Sequence, residues 1–134
     1  MAVSLNSQVL TDAARNFVIR LTGLGDGTGI QLTNVKVVDV EAMTPPAGPS
    51  LKVTRYDSRI FGGIVTLSWE APLPVVFAEL QLSDHVDWRY FGGQSTLNVP
   101  DATGSILLST RDFTVGSSFD LTLSCVKGVG SPKG

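Results

Sequence analysis

The chain has 134 residues, of which 43% are hydrophobic and 16% charged, with a formal net charge of -2. That length and apolar content suit one domain around one buried core, and they exclude the disordered class, whose chains are poor in apolar residues and rich in net charge. The ten basic residues are scattered singly, among them Arg15, Arg20, Lys36, Lys52, Arg55 and Arg59, which excludes a clustered source of the counterion release that drives nucleic-acid binding.

In chain order, residues 4–10 read as a weak strand, overlapping the best helical candidate, residues 7–16, where Asp12-Ala-Ala14 has the composition of one turn. Residues 15–22 alternate as a half-buried strand must: Phe17, Ile19 and Leu21 share one face and Asn16, Arg20 and Thr22 the other, with Val18 as the exception. The loop Gly23-Leu-Gly-Asp-Gly-Thr-Gly29 lacks the Lys-Ser/Thr ending of a phosphate loop, and its one carboxylate, Asp26, is too few for calcium, so it reads as a flexible hairpin tip. Strands are expected at residues 35–41 and 51–57, on either side of the turn cluster Thr44-Pro-Pro-Ala-Gly-Pro-Ser50. Phe61-Gly-Gly63 marks a tight bend, with Gly supplying positive φ and Phe anchoring the corner.

Val65, Leu67 and Trp69 then oppose Thr66, Ser68 and Glu70, which assigns Trp69 to the core. After Pro72-Leu-Pro74 comes a strand at residues 75–82, a polar turn at Asp84-His85-Val86-Asp87, and a further strand at residues 88–91 leading into a second Phe-Gly-Gly triplet at Phe91. The flanks of the two triplets do not match, so no duplication is inferred. A strand at residues 105–110 precedes the turn Val115-Gly-Ser-Ser118. In the last strand Phe119, Leu121, Leu123 and Cys125 oppose Asp120, Thr122 and Ser124, placing the lone cysteine in the core. The Gly, Ser, Pro and Lys of residues 127–134 form a flexible tail after a single domain at residues 1–126.

About eight or nine short strands with little helix define an all-β, antiparallel β-sandwich or jelly-roll-like fold, in preference to a closed barrel. One cysteine allows no intrachain disulfide, the first residues lack the basic-then-apolar pattern of a signal peptide, and no stretch is long enough to span a bilayer, so synthesis in a reducing cytoplasm is expected.

No catalytic, cofactor or metal site is expected. His85 and Cys125 are the only residues of their types, fewer than the three or four ligands zinc requires. No Gly-x-Ser-x-Gly elbow is present, and no pair of carboxylates can be set across a cleft. The candidate functional residues are therefore those of an interface. Trp88 and Tyr90 share one face of a short strand beside Asp87 and Arg89, leading into Phe91; they either form an exposed aromatic patch suited to a protein partner or, as an alternative, to sugar, or pack under the second Phe-Gly-Gly corner.

Longer segments carry a family likeness. Val86-Asp-Trp-Arg-Tyr-Phe-Gly-Gly93, Ala102-Thr-Gly-Ser-Ile-Leu-Leu-Ser-Thr110 and Gly116-Ser-Ser-Phe-Asp-Leu-Thr-Leu-Ser124, with Thr11-Asp-Ala-Ala-Arg-Asn-Phe-Val-Ile19, Val35-Lys-Val-Val-Asp-Val40 and Leu51-Lys-Val-Thr-Arg55, together resemble a group of small virion structural proteins of tailed bacteriophages. Ser105 and Ser117 stand where that family's pattern has aspartates. The resemblance implies a non-enzymatic component of the virion, made in the host cytoplasm, with no catalytic residues to transfer. It implies a decoration or cement protein on the head that binds the major capsid protein, or a neck or tail component in few copies bound to other virion proteins. A homo-oligomer is expected, with a trimer favoured, and neither nucleic acid nor membrane as partner. A carbohydrate-binding module using Trp88 and Tyr90 is the rival from another class.

Overall fold

The computed structural model describes residues 4–13, 15–25, 31–43, 51–81, 83–87 and 101–127. Nine strands run β1 Ser4–Asp12, β2 Asn16–Leu24, β3 Val35–Val38, β4 Leu51–Phe61, β5 Ile64–Trp69, β6 Val75–Leu80, β7 Ser83–Asp87, β8 Ile106–Arg111 and β9 Ser118–Lys127. They form a five-stranded sheet ordered β1-β2-β9-β4-β7 and a four-stranded sheet ordered β3-β8-β5-β6.

The antiparallel pairings are nested: β5 with β6, β4 with β7, β3 with β8 and β2 with β9. One long hairpin, with its tip between β5 and β6, has thus been folded back on itself, and the seams β4–β9 and β5–β8 close it into two sheets. That is the jelly-roll topology, to which β1 adds an outer strand beside β2.

The period-two strands deliver their apolar faces to the space between the sheets. Ile19, Leu21, Leu121, Leu123, Val53 and Ile60 come from one sheet and Val65, Leu67, Trp69, Ile106 and Leu108 from the other. Trp69 is buried and stacks on Phe77 at 4.6 Å between ring centroids. Phe113 meets Phe119 edge-on at 5.9 Å. The core assignments of Trp69 and Cys125 therefore hold.

Several expectations change. The described residues of 7–16 form no helix: residues 7–12 are the end of β1, Asn16 opens β2, and the Ala13 amide donates to the Asn16 carbonyl at 2.9 Å. The helical composition there loses to ladder bonds along the whole of β2. The strand expected over residues 35–41 ends at Val38, because the Asp39 carboxylate accepts from the Glu41 amide and caps a 3-10 turn at Val40–Ala42. Asp84-His85-Val86-Asp87 is not a turn but most of β7, paired with β4 from Asp87 opposite Arg55 to Ser83 opposite Arg59. Gly62 does adopt the positive φ expected of the bend, 77°, but Phe61 is 71% exposed, and it is Phe113, against which Gly63 packs, that fills the corner. Lys127 belongs to β9 rather than to a tail: it is fully buried, and its ammonium donates to Asp12 at 2.6 Å.

Candidate functional site

Among the described residues three features of the surface are built for contact. The first is the outer face of the five-stranded sheet. Its register aligns Asn6, Thr22, Asp120 and Arg59 in one row across β1, β2, β9 and β4, and Gln8, Arg20, Thr122 and Asp57 in the next. The Arg20 guanidinium donates twice to Asp120, at 3.0 Å from Nε and 2.7 Å from Nη2. This fork holds the Asp120 carboxyl below its ordinary range, with burial opposing and Arg59 adding a smaller effect in the same direction. Between these rows and the end of the sheet lies an open groove of about 390 Å³, lined by Asn6, Thr22, Leu24, Arg59, Ser118 and Asp120. Its polar lining is the Asn6 amide, the Ser4, Thr22 and Ser118 hydroxyls and the charged Arg59 and Asp120, beside the apolar Leu24 and Phe119.

The second feature is the corner beside that groove. The Ser117 hydroxyl donates to the Gly62 carbonyl at 2.9 Å and accepts from the Thr114 amide at 2.9 Å. The Ser117 carbonyl accepts from the Gly25 amide at 2.8 Å. One residue thereby ties together the ends of β2 and β4 and the turn into β9. Gln31 fixes the same turn, its side chain bonding both the amide and the carbonyl of Phe113, at 3.1 and 2.8 Å. On this fixed frame Leu24, Phe61 and Val115 are 61%, 71% and 76% exposed. Leu24 and Phe61 stand in register on either side of Ser118, and Val115 lies in the preceding turn.

The third feature is β1, the edge of the five-stranded sheet, whose Val9 and Leu10 are about half exposed.

The expected interface residues Trp88, Arg89, Tyr90 and Phe91, like the second Phe-Gly-Gly bend, lie outside the described residues. So do Asp26 and most of its glycine loop, although Gly23 sits within β2, where a Cβ would overlap the Phe119 ring. His85 stands in register opposite Asp57. Burial pushes the Cys125 thiol up to about 12, too high for a nucleophile at neutral pH. No group of three or more His, Cys, Asp and Glu among the described residues is placed to hold a metal ion. Sequence reasoning did not find the groove or the corner. The groove draws on four strands and exists only once their register is known, and the corner's signal, Gly116-Ser-Ser118, is a turn motif that does not announce what it ties.

No family model matches the chain, and no curated protein matches it. Among solved structures it is similar to a cupin domain from Bordetella pertussis Tohama I, with a TM-score of 0.39 and 12% identity over 92% of this chain and 93% of that one. It is also similar to Peruvianin-I, a cysteine peptidase from Thevetia peruviana latex, at 0.38 and 10% identity over 92% of this chain and 61% of that one. A cupin superfamily protein from Desulfitobacterium hafniense DCB-2 aligns at 0.35 and 9% identity, over 92% of this chain and 77% of that one. The jelly-roll assignment rests on the strand order itself.

Proposed function

We propose that the chain is a non-enzymatic structural protein of a tailed-phage particle, a decoration or cement protein that docks on the head surface. The observation that carries this reading is the Ser117 corner, where a hydrogen-bonded frame displays Leu24, Phe61 and Val115 to solvent. Large apolar side chains held on a rigid frame suit docking on another protein, since little side-chain or loop entropy remains to be lost. The resemblance supplies the identity of that protein, the major capsid protein. Of its segments, residues 86–93 lie mostly outside the described residues, and the others fall on the β1–β2 hairpin, β3, β4, β8 with its approach, and the turn and strand that form the corner and β9. Weak contacts of this size gain strength by symmetric repetition over a particle.

The test is copy number in purified virions, by quantitative mass spectrometry against the major capsid protein. A near-stoichiometric ratio is expected, and Phe61→Asp should release the protein from particles while leaving its fold intact. A few copies per particle would move it to the neck or tail. Complete absence would sink the reading and favour sugar binding through Trp88 and Tyr90, for which glycan binding lost in Trp88→Ala is the sign.

A further inference from the structure

We infer that two copies of this chain associate through β1, pairing antiparallel about a two-fold axis at Ser7 to join their five-stranded sheets into one. The argument begins with the edges. Natural sheets blunt their edge strands by keeping them short or charging them, because unpaired N–H and C=O groups are a template for another chain. The other outermost strands described here follow that rule. β3 has four residues including Lys36, β7 has five including Asp84, His85 and Asp87, and β6 has six including Glu79 and follows Pro72-Leu-Pro74. β1 breaks it, running for nine residues with no proline and no charge before Asp12, its last residue. Residues 6–12 of β1 are all exposed, and no strand among the described residues pairs with its outer edge.

The sequence of β1 is complementary to itself in one register. A two-fold axis normal to the sheet pairs each residue with one on the same face, so the axis must pass midway between the two copies of one residue. Placed at Ser7, it sets Leu5 opposite Val9 of the second copy on the core-side face, and Asn6 opposite Gln8 on the outer face, each pair occurring twice. Apolar meets apolar and amide meets amide. Placed at Asn6 it would set Leu5 against Ser7, and placed at Gln8 it would set Ser7 against Val9, losing the apolar pairs. The irregularity of β1 between Val9 and Thr11 ends the regular stretch just beyond the paired residues. Leu5 is already half-buried against the core and Val9 is 54% exposed, so pairing continues the core's apolar layer across the axis. The contact is two-fold, in place of the trimer the family resemblance implies, and it does not depend on the particle reading.

Sedimentation velocity of the full chain over a wide range of concentrations tests it, together with two variants. The wild type should sediment as a dimer. Ser7→Lys, which places two ammonium groups face to face at the axis, should raise the dimer dissociation constant at least about tenfold, with the urea midpoint unchanged at concentrations where both chains are monomeric. Ser7→Cys should form an intermolecular disulfide on mild oxidation, since directly opposed residues have the Cα separation a disulfide needs, and buried Cys125 does not compete. A monomer at all concentrations, a trimer, a dimer indifferent to Ser7→Lys, or a Ser7→Cys chain that stays uncross-linked would each overturn the inference. Should Ser7→Lys lower the urea midpoint, the cross-link decides alone.

Discussion

Ser117 does at one residue what the chain elsewhere does with whole strands. Its hydroxyl donates to Gly62 and accepts from Thr114 while being almost fully buried, so both partners lose their bond if it goes. Ser117→Ala should cost about 1–3 kcal/mol, the range for stranding buried polar groups, read as a lower urea midpoint with an unchanged slope. Aspartate, the residue of the resembling family's pattern, would accept from Thr114 but when ionised has no proton to donate to the Gly62 carbonyl. Two titratable groups respond in opposite senses to their surroundings. The Arg20 fork lowers the folded carboxyl of Asp120 relative to the unfolded chain. The pair therefore adds stability above the ordinary carboxylate range, and loses it as pH falls through the folded value. Urea midpoints should fall as the pH drops below the ordinary carboxylate range, and Asp120→Asn should make that fall shallower. Cys125, pushed up to about 12 by burial, should resist thiol reagents at pH 8 in the native protein and react fully in denaturant, since only the thiolate attacks.

At the scale of elements, the join between β1 and β9 is an ion pair with unequal ends: Lys127 has no exposed side-chain surface, whereas a quarter of Asp12 remains accessible. The Lys127 amide also donates to the Arg15 carbonyl at 2.7 Å, securing the turn between β1 and β2. Asp12→Ala leaves a buried ammonium without its carboxylate and should cost roughly 2–3 kcal/mol, below the loss at fully enclosed pairs because Asp12 is partly hydrated. Lys127→Met removes the charge and keeps the stem, so the double variant should unfold at higher urea than Asp12→Ala alone. Which elements sequence reasoning found follows from the same environments. β2, β5 and β9 alternate because one face of each is buried and the other wet. β1 shows no such alternation because nearly every residue is exposed on both faces, which let the helical composition of Asp12-Ala-Ala14 dominate. β7 spells Ser-Asp-His-Val-Asp, whose polar content reads as a turn; only the ladder to β4 makes it a strand. The candidate surfaces were less legible than the core. Hydrophobic period two names a buried face strand by strand, whereas the groove depends on which polar rows four strands bring side by side.

For the whole molecule, the consequence of the nested hairpin is that β9, the last of the described strands, holds the middle of a sheet. β9 lies between β2 and β4, bonded along its full length to both: Asn16 to Leu24 on one side and Leu51 to Phe61 on the other. It also supplies Phe119, Leu121, Leu123 and Cys125 to the core. Until β9 arrives, β2 and β4 have open edges facing one another, and the core lacks one wall. A chain ending at residue 117 should therefore have no cooperative urea transition and should bind hydrophobic dyes, whereas a chain lacking residues 1–11, which keeps the Asp12 partner of Lys127, loses only the outer strand and should still unfold in one step. The pairing of β2 with β9 joins residues about a hundred positions apart, as in Arg20 with Thr122. Loop closure over that distance precedes most of the energetic return, so refolding should take milliseconds to seconds, as for other non-local β topologies. Stopped-flow tryptophan fluorescence can follow it through Trp69, which packs on Phe77 across the nearest-neighbour hairpin β5–β6. If β9 docks last, Leu67→Ala, at that local hairpin, should slow folding more than Leu121→Ala, which should chiefly speed unfolding. The reverse order would place β9 in the folding nucleus and require the two ends of the chain to meet first.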